Sequence, residues 1–300
     1  MNKNEYWKNF SLGTELETSG TFIYNGLKQI NDLTYYEYSE DVFEVLYNLS
    51  VGIERLMKIV IVLTEHQDYS NQEALEKSLI THNLDCLRNR IEINHNLELN
   101  DIQKEFLVLL TTFYIKHRYD RYNINESNSY TKDKDSFIQF LCKKLNIKTN
   151  NDSPFNTFKN TKQIKSFLVK IVSKITIKLY EVIEIKARGL NIYTYDLRPN
   201  GKAYKVFIYK DFNFELHTIL KKEFVIALIN NKNSNFIKFI KSIKPMPFDV
   251  QDENEIISLL LTDNNLEDYF DALETYYEEL ENKKERFDTL NLIDKIGVEF

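Results

Sequence analysis

The sequence predicts a mainly α-helical protein with a smaller C-terminal α+β region that contains one β-hairpin. Only 7 glycines and 4 prolines occur among 300 residues, and this scarcity of turn-forming residues disfavours a sandwich or barrel of many short strands. Apolar residues recur at helical spacing over two long segments, 39–65 and 158–188. One Asn-Gly pair, Asn200-Gly201, lies between alternating segments, which is the pattern of a two-residue hairpin turn.

Helical periodicity sets the order of the elements, and Ser39 is the expected N-cap of the second helix. The strands of the hairpin are predicted at Ile192–Leu197 and Ala203–Lys210, after helical order ends near Gly189. We therefore predict a helical domain over residues 1–189 and an α+β domain over residues 190–300. Helices are predicted at residues 15–30, 39–65, 71–94, 101–122, 135–145 and 158–188, and after the hairpin at 222–229, 235–243, 254–261 and 265–290.

The first residues and the apolar runs predict a cytoplasmic protein without membrane segments. Met1–Phe10 is polar and lacks the apolar core of a signal peptide. The most apolar run, Ile59–Leu63, is far shorter than the ~20 residues that span a bilayer. Two cysteines, Cys86 and Cys142, are too few for a disulfide framework or a structural zinc site. We expect no metal and no cofactor, because the chain also lacks phosphate-binding and dinucleotide-binding loops.

Charge is distributed in three blocks that the net charge of −6 conceals. Residues 1–131 hold 12 basic and 20 acidic side chains, residues 132–248 hold 23 and 9, and residues 249–300 hold 4 and 16. A basic middle block is the electrostatic pattern of a surface that binds a phosphate backbone. The alternative is that the acidic and basic faces pack against one another, within one chain or between subunits.

Three short segments carry the functional information. The first segment, Val51–Ile59, lies on the long second helix and contains Glu54 and Lys58. The second, Thr81–Leu87, contains a His-Asn-Leu sequence directly after its first residue. The third, Phe113–Tyr122, is rich in aromatic and basic residues. This order resembles the HEPN superfamily of antiparallel helical bundles, over roughly residues 15–125. The resemblance implies a homodimer that cleaves or binds RNA in bacterial stress or antiphage defence, of the toxin or abortive-infection type.

The same resemblance implies a catalytic pair. Active HEPN ribonucleases carry an arginine and a histidine with four to six residues between them, and Arg88 with His95, separated by six residues, fits this pattern, with the polar Asn89 after the arginine. On a continuous helix the two side chains would lie within about 20° of one face. Histidine would transfer a proton and arginine would bind the phosphate, without a metal ion. The structural alternative is that Arg88 pairs with Glu92 one turn along the helix.

Further cations are candidate contacts to RNA phosphates. They are Arg90, Arg118, Arg121, Lys170, Lys174 and Lys178, and the three lysines recur every four residues on one helix. Each also has a structural interpretation, as a solvated face or as a cation in a last helical turn. Glu54 and Lys58 are interpreted as a salt bridge. His82 and Cys86 have the spacing of a metal-binding pair but lack further ligands.

The sequence thus favours a metal-independent ribonuclease or RNA-binding effector that acts as an endoribonuclease through Arg88 and His95. The alternative function is a non-catalytic module of the same helical type, which dimerises or docks a protein partner such as an antitoxin or a defence-system subunit. In that case Arg88 and His95 would only stabilise the bundle. The catalytic interpretation requires that the side chains of Arg88 and His95 are both exposed in a cleft, whereas the structural interpretation does not.

Overall fold

The computed structural model describes residues 2–67, 71–120, 122, 124, 131–147, 158–210, 212, 214–230, 235–245, 253–262, 269, 274–275 and 277–293. The chain divides into two compact units, Met1–Phe212 and Asn213–Phe300. This division lies beyond the predicted boundary at residue 189, because the segment that follows α9 packs onto the first unit, as shown below.

The described elements are almost all helical, which confirms the mainly α-helical fold class. The first unit contains α1 (Lys3–Tyr6), α2 (Leu12–Asp32), β1 (Tyr35–Tyr36), α3 (Ser39–Glu65), α4 (Gln72–Ser78), α5 (Leu84–Glu92), α6 (Asp101–Thr112), α7 (Arg118–Asp120), α8 (Lys132–Leu145), β2 (Phe158–Lys159), α9 (Lys162–Gly189) and α10 (Lys202–Phe207). The second contains α11 (Phe214–Asn230), α12 (Asn235–Ser242), α13 (Glu253–Thr262) and α14 (Lys283–Leu290). Two π-helical turns, Trp7–Ser11 and Phe113–His117, and a 3₁₀ turn, Tyr195–Leu197, complete the set.

Helix α3 forms the centre of the first unit. Its 27 residues are apolar on nearly every side, and helices α2, α5, α8 and α9 pack against it. A helix that is apolar all round is stable only when it is enclosed. Its fully buried side chains include Val42, Val45, Leu46, Leu49, Ile53, Leu56, Met57 and Val60.

Helices α2 and α3 approach closely at Gly52. The Ser19 hydroxyl of α2 donates a 2.8 Å hydrogen bond to the Gly52 carbonyl oxygen. A Cβ atom at Gly52 would lie 2.6 Å from Ile23 Cγ1 and 3.1 Å from the Ile23 backbone nitrogen. Only glycine therefore fits between these two helices at this level.

The end of α2 is held by residues far along the chain. Strand β1 pairs antiparallel with β2, which places Tyr36 opposite Phe158. The buried Asn160 then donates from Nδ2 to the carbonyl oxygens of Ile30 at 2.7 Å and Leu33 at 3.0 Å. Because the last carbonyls of a helix lack partners within it, Asn160, the residue after β2, supplies a cap.

The predicted hairpin at residues 192–210 is wrong. This segment forms the 3₁₀ turn Tyr195–Leu197 and helix α10, and the small antiparallel sheet lies instead between β1 and β2. A hairpin turn of the favoured type needs positive φ at both central residues, whereas Gly201 has φ −64° and is the N-cap of α10.

Long-range contacts explain why this segment is helical. The Glu17 carboxylate on α2 accepts hydrogen bonds from the backbone N–H groups of Lys202 at 2.9 Å and Ala203 at 3.1 Å. These are among the N–H groups that a helix cannot satisfy internally. Val206 and Phe207 are buried where α10 packs on α2 and α9, so tertiary packing overrides the local hairpin signal.

Two predicted helices are interrupted. The predicted helix 71–94 is split into α4 and α5, and the predicted helix 101–122 continues through the π-helical turn Phe113–His117 into the short α7. Most of the predicted loop Asn123–Asp135 lies outside the described residues. The split matters for function, because α5 ends at Glu92, before His95.

The second unit is also helical in its described part. Helix α11 packs against α13, while several large apolar side chains of α11 are exposed, among them Ile219, Phe224 and Ile229. Among all the helices described, none has both the length and the apolar character needed to cross a membrane.

The close approach at Gly52 gives a stability prediction. We expect Gly52→Ala to lower the free energy of unfolding by about 1–3 kcal/mol, because the added methyl overpacks the contact with Ile23. Gly189→Ala is the matched control, since a Cβ there meets no described atom within 4 Å. The control should leave stability unchanged or raise it by up to about 1 kcal/mol. Urea denaturation measures both, and equal effects would contradict the packing argument.

Candidate functional site

The predicted catalytic Arg88 is enclosed by partners on its own helix. Its Nη1 donates to Glu92 Oε2 at 2.5 Å, and its Nε and Nη2 donate to Asp85 Oδ1 at 3.1 and 2.8 Å. Nη2 also donates to Asn89 Oδ1 at 2.7 Å. The Arg88 side chain is only 10% exposed. Its guanidinium thus makes the ion pair with Glu92 that the structural alternative expects.

His95 lies beyond the end of α5 and contacts other helices. Its Nε2 is 3.0 Å from the Thr64 hydroxyl of α3. Burial lowers the pKa of His95, and Lys186 on α9 lowers it further. The continuous helix that would bring Arg88 and His95 to one face is absent, because α5 ends at Glu92.

The other predicted phosphate contacts differ in whether a carboxylate neutralises them. Arg90 donates from Nε and Nη2 to both carboxylate oxygens of Glu65, at 2.8 and 2.5 Å, and Lys178 pairs with Glu98 at 3.2 Å. Lys170 and Lys174 are exposed on α9 and make no ion pair with a described residue. Arg121 lies outside the described residues.

A different set of side chains meets beside the middle of α3. Glu54 is a buried carboxylate whose side chain is 10% exposed. Its Oε1 accepts a hydrogen bond from Lys58 Nζ at 2.6 Å, and its Oε2 lies 3.0 Å from His82 Nδ1. The His82 side chain is 51% exposed, so this imidazole is held from the protein side and faces solvent on the other.

Aromatic side chains complete this set. The buried Tyr114 contacts the His82 ring edge-on, with ring centroids 4.8 Å apart. The Arg118 guanidinium lies 4.1 Å from the centroid of Tyr114 and 4.6 Å from that of Tyr119. Arg118 Nη2 also donates to the Tyr119 hydroxyl at 2.7 Å. Burial raises the pKa of Tyr114, partly opposed by Arg118.

We call Glu54, Lys58, His82, Tyr114 and Arg118 the His82 cluster. Its members come from α3, from the residues before α5, and from the π-helical turn Phe113–His117 and the α7 that follows it. These are the three segments that carry the sequence resemblance. π-helical turns are frequent at functional sites, because the wider turn reorients the side chains that follow it.

The His82 cluster has the parts of a proton-transfer site. A carboxylate on one ring nitrogen of a histidine fixes the orientation of the ring and stabilises its protonated form. The cluster also contains two cations, Lys58 on Glu54 and Arg118 on Tyr114, and such side chains are suited to a phosphate group. Within the part of the chain that the structure describes, no three His, Cys, Asp or Glu side chains are grouped to hold a metal ion.

The sequence interpretation did not include the contact between His82 and Glu54, although the chain contains a signal for it. The predicted pairing of Glu54 with Lys58 is confirmed, but the third partner, His82, comes from the residues before α5 and could not be read from spacing. The better signal is a glutamate in the middle of a long apolar helix, because a buried carboxylate requires charged or polar partners.

Neither a protein-family model, nor a curated protein, nor a solved structure matches this chain. Its function must therefore be inferred from the side chains of the site.

The partners of Arg88 predict that this residue stabilises the fold. We expect Arg88→Ala to lower the free energy of unfolding by about 1–3 kcal/mol, since it leaves partly buried carboxylates without their donor. Arg55→Ala is the control, because Arg55 makes a more exposed ion pair with Glu15 and should cost less than about 1 kcal/mol. Urea denaturation compares the two variants. A smaller loss for Arg88→Ala than for Arg55→Ala would contradict this assignment.

The lowered pKa of His95 predicts how stability depends on pH. Below the ordinary histidine value of 6.5, the unfolded chain binds a proton that folded His95 does not yet bind. The folded state therefore loses stability as the pH falls from about 7.5 to about 5.5. His95→Gln should show a shallower fall in melting temperature over this range. An equally steep fall in both proteins would assign the pH dependence to other groups.

Proposed function

We propose that this protein cleaves RNA without a metal ion and that His82, rather than the pair Arg88 and His95, transfers the proton. The observation that carries the proposal is the half-exposed His82 imidazole, held at Nδ1 by the buried Glu54 carboxylate, which also pairs with Lys58. Imidazole is the side chain best suited to exchange protons near neutral pH.

The chemistry follows from the two ring nitrogens. With Nδ1 held by Glu54, Nε2 of His82 accepts the proton of an RNA 2′-hydroxyl as that oxygen attacks the adjacent phosphorus. The bond from phosphorus to the 5′-oxygen breaks, which leaves a 2′,3′-cyclic phosphate and a 5′-hydroxyl after the leaving oxygen takes up a proton. Glu54 stabilises the imidazolium that forms, as the carboxylate does in other histidine–carboxylate pairs.

Arg118 is proposed to bind the phosphate during this step. Its guanidinium lies against the rings of Tyr114 and Tyr119 and donates one hydrogen bond, from Nη2 to the Tyr119 hydroxyl. A guanidinium has five N–H donors, so others remain for phosphate oxygens. A cation positioned in advance stabilises the charge that develops in the transition state. Lys58 pairs with Glu54 in the same cluster and offsets the negative charge of that carboxylate, which would otherwise repel a phosphate.

The biological setting is proposed from the sequence resemblance. It would be bacterial stress or antiphage defence, with a homodimer that brings two His82 clusters to one RNA. In such a dimer the second histidine could protonate the leaving 5′-oxygen. A protein partner such as an antitoxin would keep the enzyme inactive until it is needed.

Matched histidine variants test this function. Wild type, His82→Ala and His95→Ala are incubated with RNA in the presence of a metal chelator, and cleavage is followed by gel electrophoresis. We expect His82→Ala to lower the rate by about 10²–10⁴-fold, the usual contribution of a general acid or base. His95→Ala should stay within about threefold of wild type, because removing a side chain that takes no part in proton transfer leaves the barrier nearly unchanged.

The opposite ranking of the two variants would restore His95 as the catalytic residue. If neither variant loses cleavage, neither His82 nor His95 is the catalytic residue. Circular dichroism on each variant distinguishes a lost catalytic group from a lost fold.

A second candidate function is a non-catalytic module that docks a protein. The observation that favours it is α11, whose exposed side chains include Ile219, Leu220, Phe224, Ile226, Leu228 and Ile229. Contiguous exposed apolar side chains are typical of surfaces that bind another protein. An inactive wild type that forms a stable complex through α11 would support this alternative.

A further inference from the structure

A small cavity lies where α9 ends and the chain turns towards α10. Its volume is about 120 Å³, and Arg188, Tyr193 and Arg198 line it together with Glu184. We call it the α9 cavity. None of its residues belongs to the His82 cluster or to the cations singled out in the sequence.

The backbone around this cavity is well anchored. The chain reverses at Asn191, which has φ 56°, and the N–H of the buried Ile192 donates to the Ala187 carbonyl oxygen at 2.9 Å. The 3₁₀ turn that follows ends at Arg198, whose N–H donates to the Tyr195 carbonyl oxygen at 2.9 Å. The three lining side chains therefore project from a defined turn.

The chemistry of the lining is that of an anion site with an aromatic wall. Arg188 is 70% exposed and touches Glu184 at 3.6 Å, an exposed ion pair of the weak kind. Arg198 is exposed and pairs with no described carboxylate. Tyr193 is 64% exposed. Two arginines against one carboxylate leave a positive cavity, and guanidinium groups bind phosphate oxygens in a bidentate manner.

The size of the cavity limits the ligand. A volume of 120 Å³ holds about four waters at the ~30 Å³ that each occupies in the liquid. It is well below the ~300–1,000 Å³ of pockets that enclose a whole small molecule. One phosphate group fits inside, while a base attached to it would remain outside, where the exposed Tyr193 ring can stack on it.

The α9 cavity also lies on the basic side of α9. Arg188 follows Lys170 by 18 residues, which is five helical turns, and Lys174 is within about 40° of the same line. Glu181 lies on this face as well and interrupts the positive charge. The exposed lysines would attract a strand along α9 towards the cavity.

We propose that the α9 cavity binds one phosphate of single-stranded RNA and that Tyr193 stacks on the attached base. This inference rests on the proposed function for its ligand, RNA. It adds a binding site away from the proton-transfer site, which holds the substrate without taking part in the reaction.

Fluorescence anisotropy tests the proposal on the full-length chain. A short labelled single-stranded RNA is titrated against the His82→Ala protein, so that the RNA is not consumed, and then against the same protein carrying a second change. We expect added Arg188→Ala and Arg198→Ala each to weaken binding, and the two together to reduce the salt slope by about 0.7, the value for one phosphate on a single strand. Tyr193→Ala should weaken binding at least about fivefold, while Tyr193→Phe keeps the ring and the affinity.

Lys77→Ala is the control, because Lys77 is an exposed cation on α4 that pairs with Glu73. The affinity of this variant for RNA should equal that of the parent protein. Unchanged RNA binding in the Arg188, Arg198 and Tyr193 variants would overturn the proposal. A second result would also overturn the proposal: the arginine variants lose the binding of inorganic phosphate but keep the affinity for RNA. That result would assign the cavity to a free anion. Cleavage by the wild type is measured separately, so failure of the α9 cavity and failure of His82 give different results.

Discussion

The enclosure of α3 is the constraint on which the rest of the first unit depends. A helix that packs against neighbours on nearly every side cannot expose a polar group to water, so each polar group on it needs a partner from the protein. Glu54 is the charged group that this helix buries. Its partners, Lys58 and His82, are therefore required to keep this carboxylate buried. They fix the residues before α5 against α3, and through the His82 ring they fix Tyr114 as well.

The fold was predictable from sequence where local pattern and packing agree. Helices α3 and α9 follow from apolar spacing, because their burial is continuous over many turns. Residues 192–210 show the limit of this reasoning. Their alternation and the Asn-Gly pair fit a hairpin, but Glu17, far away in sequence, caps α10 and buries it against α2. The sheet between β1 and β2 joins segments more than a hundred residues apart and carries no local signal.

The candidate site was less predictable, for a related reason. Arg88 and Glu92 are one turn apart, so their pairing could be anticipated from spacing alone. The pairing of Arg88 with His95 required a helix that continues beyond Glu92, and the chain leaves helical geometry there to place His95 against Thr64. The contact between His82 and Glu54 depends on tertiary structure. The signal in the sequence is a carboxylate in an apolar helix, which requires a partner from elsewhere in the fold, whereas a short degenerate motif carries no such physical requirement.

The structure also sorts the cations of the basic middle block, which net charge cannot do. Lys178 is neutralised by an acidic partner, whereas Lys170, Lys174, Arg188 and Arg198 are exposed. Four of the exposed cations of this block therefore lie on α9 and on the turn after it, while His82 and its carboxylate partner lie beside the middle of α3. Under the proposed function, attraction of a strand and transfer of a proton belong to different elements. The cations of the His82 cluster, Lys58 and Arg118, are held by Glu54 and by the rings of Tyr114 and Tyr119, so capture of a strand at α9 adds no further cation beside the Glu54–His82 pair. A further cation there would oppose the protonation of His82 that the proposed reaction requires.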